Sequence, residues 1–134
     1  MLDSETWATT GPLIEEIVHA VVSPYGVRAE VRHVKGVPPV DNDQASISAM
    51  TAAAGAVLGP AAVVPTKQSL GGEDLGWLLT DVPGAMARLG TRTPGGETHE
   101  LHQGDLVVHE ESVLIAAKFL AAATLSSVGP DGLV

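Results

Sequence analysis

Residues 27–43 run VRAEVRHVKGVPPVDND, and the fold class turns on them. Val27, Ala29 and Val31 alternate with Arg28, Glu30 and Arg32, a period of two that predicts a strand with one wet face. Pro38 and Pro39 then set an extended path without backbone donors, and the acids behind them suit the start of a helix. The expectation is a strand over VRAEVRHVK, a boundary linker over GVPPVDND and a helix beyond.

Upstream, SETWATTGPLIEEIVHAVV places Trp7, Ile14, Ile17, Val18 and Val21 on one helical face. Gly11-Pro12 interrupts the pattern, and proline favours the first helical position, so Pro12 with Glu15 and Glu16 behind it is a second candidate for the helix start. A turn follows at Ser23-Pro24-Tyr25-Gly26. Downstream, QASISAMTAAAGAVLG carries Ile47, Met50, Ala54, Val57 and Leu58 on one face and stops at Gly59-Pro60, a helix expected to pack on a sheet. AAVV, residues 61–64, and GAMARLG, residues 84–90, are short apolar strand candidates, with a loop and a short helix between them. A helix from about Glu110 to about Leu125, acidic in its first turn, closes the chain. The order α, β, linker, α, β, α, β, α predicts an α/β fold, a small piece attached to a larger layered one.

A chain of 134 residues suits one domain, and 45% hydrophobic content is ample for a core. The net charge of −9 sets the average field against a phosphate-rich partner, which excludes nucleic acid. Without cysteine there is no disulfide and no thiolate chemistry. The N-terminus MLDSETWATTG lacks the basic and apolar regions of a signal peptide, and no stretch reaches the roughly 20 apolar residues of a membrane span. A soluble, cytoplasmic protein is expected.

Two places could carry chemistry. His99 and His102 lie either side of Glu100 in a polar loop, with His109 further on, but a metal site needs three or four converging ligands, and a loop histidine is ordinarily solvated. In QSLGGEDLGW, paired glycines precede a helix start, where backbone N–H groups can meet an anion. The same residues also make an ordinary turn, with Glu73 and Asp74 as first-turn acids. Neither a Ser/His/Asp set nor a glycine-rich phosphate signature is present.

The succession GVPPVDND, QSLGGEDLGWLL, VPGAMARLGTRTPGG, LHQGDLVVHEESV resembles the C-terminal half of metal-dependent amidohydrolases of the hippurate hydrolase, N-acyl-amino-acid amidohydrolase and indoleacetyl-amino-acid hydrolase type, relatives of aminoacylase and carboxypeptidase G. The resemblance covers nearly the whole chain in order. It implies that residues 1–37 are the end of an α+β lid or dimerisation domain, a helix-strand remnant. Residues 38–134 would be the C-terminal part of a layered α/β/α metallo-hydrolase catalytic domain. His102 matches the family's last metal-binding histidine, and Gly71, Gly72 and Glu73 match the GGED motif beside the active site. His99 and His109 match no ligand. Leu75 and Leu106 stand where relatives often carry an aromatic.

By the same resemblance, the general base and the other ligands belong to an N-terminal half ahead of this chain, so no catalytic residue is assigned within it. The expectation is a fragment, inactive alone, of an enzyme that hydrolyses amides of small N-acyl amino acids. That enzyme would use a divalent metal, zinc or manganese, which the fragment would not hold stably. Self-association into a homo-oligomer is expected, and a non-catalytic association module is the alternative.

Overall fold

The computed structural model describes residues 3–129 and 132–133; the outer ends of the two expected pieces, residues 1 and 134, lie outside the described residues. Four α-helices dominate: α1 (Ser4–Val22), α2 (Gln44–Leu58), α3 (Leu75–Leu79) and α4 (Glu111–Ser127). The described strands are β1 (Val128–Gly129) and β2 (Gly132–Leu133), an antiparallel pair with Val128 opposite Leu133 and Gly129 opposite Gly132. The chain divides into two compact units, Met1–Asp43 with Gln68–Met86, and Gln44–Lys67 with Ala87–Val134, as far as each is described.

In the first unit, α1 begins at Ser4 and not at Pro12, because Asp3 caps it: the Asp3 carboxylate accepts from the Thr6 N–H at 2.7 Å. Pro12 sits inside the helix, where it cannot donate to the Ala8 carbonyl. Lys35 replaces that donor. Its Nζ donates to Ala8 O at 3.2 Å while lying 3.7 Å from the centre of the Trp7 ring. Trp7 in turn meets Trp77 of α3 edge to face at 5.7 Å. A 3-10 turn, Ser23–Tyr25, ends on Gly26 at φ 63°, where the sequence signals placed a turn.

In the second unit, α2 packs on α4. The α4 face that turns inward carries Ser112, Ile115, Ala116, Phe119, Ala122 and Ala123, spaced by threes and fours. Ala53 and Ala54 are the buried apolar side chains of the described helices. The predicted α2 face holds at Ile47, Met50, Ala54 and Leu58, but Val57 is exposed.

The α/β reading is therefore corrected: the regular structure of the described residues is helical apart from the two-residue strands β1 and β2, without the layered sheet expected for a catalytic domain or the strand expected for a lid remnant. Alternation specifies an extended backbone, whereas a strand also needs a neighbour for its N–H and C=O groups. VRAEVRHVK has no ladder partner and forms no strand, with Val27 and Val34 exposed. AAVV lies between Pro60, which opens a 3-10 turn over Pro60–Ala62, and Pro65, so no ladder can grow through it. GAMARLG is met by isolated bonds only. Gly84 O accepts from Asp43 N–H at 2.9 Å, and the Asn42 side chain occupies the place of a strand partner at Met86. The helix expected to lie on a sheet, α2, lies on α4 instead.

Candidate functional site

The GGED loop is in the first unit. Gly71 N–H donates to Ser69 Oγ at 3.0 Å, and the Glu73 carbonyl accepts from Gly76 N–H at 2.9 Å, which begins α3. Neither Gly71 nor Gly72 has a positive φ, so a left-handed turn does not explain this glycine pair. Close approach does explain Gly72: a methyl there would come within 2.5 Å of Val37 Cγ2. Four residues on, a methyl at the buried Gly76 would collide with the carbonyl of Pro38, itself fully buried. The exposed Glu73 thus sits between two glycines pressed against GVPP. At five residues, α3 is too short for its N-terminus to serve as an anion site.

His102 is in the second unit, in a loop that its neighbours close. Gln103 Oε1 accepts from Glu100 N–H at 2.8 Å, and Gln103 O accepts from Leu106 N–H at 3.3 Å. His102 adopts φ 70°, the positive-φ non-glycine among the described residues, a conformation that costs a side-chain-bearing residue about 1–2 kcal/mol. Its imidazole is exposed. His99 faces Asp105 at 4.0 Å, and His109 lies 3.5 Å from Glu111. His109 is also tied through its backbone, accepting from Ser112 N–H at 3.0 Å and Ser112 Oγ at 2.6 Å, and donating to Thr91 O at 2.8 Å.

Gly71, Gly72 and Glu73 come together in one unit and His102 stands in the other. Among the described residues no group of three or more histidine, aspartate and glutamate side chains converges to hold a metal ion. By themselves these donors do not fit a metal centre, which needs three or four. No described helix is long and apolar enough to cross a membrane.

Sequence reasoning missed Asn42, whose Oδ1 accepts from Met86 N–H at 2.8 Å and whose Nδ2 donates to Met86 O at 3.4 Å. It also missed Val37, Pro38 and Gly76, the contacts that seat the GGED loop. The trace of these contacts in the sequence is Gly76, four residues beyond Gly72 in GGEDLG.

The first and last motifs of the resemblance fall within one family match. The pattern of Peptidase family M20/M25/M40 covers residues 5–126, and the chain belongs to that family. It is 39% identical over 120 residues to the "Putative glutamate--cysteine ligase 2-3" of Rhodococcus jostii (strain RHA1), covering 90% of this chain and 15% of that protein. It is 35% identical over 125 residues to the "Probable hydrolase sll0100" of Synechocystis sp., covering 91% and 32%. To the N-acetylcysteine deacetylase of Bacillus subtilis (strain 168) it is 30% identical over 108 residues, covering 81% and 27%. The chain thus spans between 15% and 32% of the length of these relatives. No solved structure matches it. The family is generally metal-dependent, and the expected hydrolase resemblance is borne out.

Proposed function

We propose that this chain is one part of an amide hydrolase acting on small N-acyl amino acids or similar conjugates. In that reaction the oxygen of water bonds to the acyl carbon, the C–N bond breaks, and the amine leaves with a proton. The observation that carries the reading is the family match across residues 5–126, which takes in both GGED and His102. The deacetylase name of one relative supports an N-acyl substrate. The ligase name attaches to a protein of which the matched stretch is 15%.

Within this reading His102 gives one imidazole to a divalent metal such as zinc or manganese, and Gly71, Gly72 and Glu73 line the substrate side. The other ligands and the general base come from outside this chain. Support for His102 is its exposed imidazole, held at φ 70° in a closed loop. Unusual backbone of that kind collects at functional sites.

The test is a chimera in which this chain replaces the matched stretch of the Bacillus subtilis N-acetylcysteine deacetylase. Chelator-sensitive deacetylation of N-acetylcysteine is expected, with His102→Ala reducing it at least about 100-fold, since loss of a group merely supporting a ligand already costs 10- to 100-fold. A folded chimera in which His102→Ala is fully active would overturn the assignment. The chain alone is expected to be inactive, and chelator-sensitive turnover by the purified chain would overturn its incompleteness.

A second reading, self-association without catalysis, has its own observation. Leu13, Ile17 and Val21 form a stripe along α1 and all remain exposed.

A further inference from the structure

We infer that Val37–Asn42 is a positioning cradle for the GGED loop, with Val37 and Asn42 setting the place of Glu73 without contacting the reacting atoms. The inference rests on the proposed place of Glu73 beside the substrate.

Three observations in the same unit carry it. Gly72 and Gly76 flank Glu73 and its neighbours, and both are pressed against consecutive residues of one segment, Gly72 on Val37 and Gly76 on Pro38. The two contacts differ in kind. Pro38 meets Gly76 with backbone, which cannot yield, whereas Val37 meets Gly72 with a side-chain methyl, which a substitution can remove. Together they fix the loop's register along the segment, because sliding it by one residue would drive a side chain of GGEDLG into Val37 or Pro38.

The far end of the segment is anchored separately. The Asn42 amide exchanges two hydrogen bonds with the backbone of Met86, and Asp43 N–H donates to Gly84 O, so the cradle is tied to the stretch that follows α3. The chain therefore passes from the cradle, through the loop and α3, and back to the cradle. Glu73 lies inside that closed circuit, and its backbone position is set by Val37 and Pro38 at one point and by Asn42 at another.

The first arm of the test uses the 134-residue chain itself. The backbone amide resonance of Glu73 and the indole N–H resonance of Trp77, next to Gly76, report how the loop is seated. Gly72→Ala is expected to move both. Adding Val37→Ala removes the opposing methyls and is expected to return both toward their original positions. If Gly72→Ala unfolds the chain, recovery of the helical far-ultraviolet signal on adding Val37→Ala measures the same coupling. Unmoved resonances in Gly72→Ala, or a double variant that recovers nothing, overturn the cradle.

The second arm uses the deacetylase chimera. Gly72→Ala is expected to lower kcat by about 10²-fold, as displacement of a site group by about 1 Å can do, with KM changing little, and Val37→Ala to restore most of the loss. Asn42→Ala is expected to lower kcat in the same sense. If Glu73→Gln is fully active while the coupling persists in the first arm, the placement of Glu73 by the substrate fails and the cradle stands. If Glu73→Gln is inactive while Gly72→Ala is silent in both arms, the cradle fails and the placement of Glu73 stands.

Discussion

At His102 the backbone and the side chain make opposite demands. Glycine reaches φ 70° without the clash that a Cβ brings, so backbone preference alone would put glycine there. His102→Gly is therefore expected to leave the melting temperature unchanged or to raise stability by about 1 kcal/mol, while costing the chimera the same activity as His102→Ala. A variant that melts lower would mean that the imidazole has a structural partner. Glu73→Gln is expected to impair the chimera's turnover more than its melting temperature, because the exposed side chain lies against none of the close contacts that seat the loop. The sequence made His102 and Gly71-Gly72-Glu73 visible as a pattern. It could not show φ 70°, nor that Gly72 serves close approach, because both depend on which segment lies alongside.

Among the elements, α1 has two devices that a propensity argument sees only in part. The Thr6 backbone N–H, and behind it the Thr6 side chain, hold the Asp3 carboxyl below its ordinary value. A lowered folded-state pKa gives stabilisation that is present above the unfolded carboxylate value and is lost as pH falls through the lowered one. Fraying of the first turn is thus expected in acid, and Asp3→Ala should produce it at neutral pH, read as faster amide exchange at Thr6 and Trp7. The second device is Lys35. Lys35→Met is expected to cost about 1 kcal/mol by removing the donor to Ala8 O and the charge over Trp7. The cost should shrink in a Pro12→Ala background, where residue 12 regains its N–H, and an undiminished cost in thermal melts of the double variant would contradict the pairing. On the α2 and α4 contact, Ala54→Leu should destabilise by about 1–3 kcal/mol through overpacking. The helices were legible because their periodicity is internal: α2 and α4 fall within two residues of the expected bounds. The strands were not, because a ladder needs a second strand, and what meets GAMARLG is the Asn42 side chain at Met86 and the Asp43 N–H at Gly84.

For the molecule as a whole, apolar surface and charge pull in opposite directions. The hydrophobic fraction of 45% promised a core, yet among the described residues the buried apolar side chains of the helices are two alanines. Leu13, Ile17 and Val21 are 51, 52 and 61% exposed on α1, and Val113, Leu114, Leu120 and Leu125 are exposed on α4. Fully burying one such side chain is worth about 1.5–3 kcal/mol, so covering a stripe of three by a second copy would supply several kcal/mol toward association. The net charge of −9 opposes this, and its reach depends on salt: the screening length falls from about 30 Å at 0.01 M to about 8 Å at 0.15 M. Self-association is therefore expected to rise with protein concentration and with ionic strength, read by sedimentation velocity over a concentration series at both salts. Ile17→Glu adds a charge in the middle of the α1 stripe and should shift the distribution toward the monomer. A single monomeric species at every concentration and both salts would mean that these side chains tolerate water and that no second copy covers them.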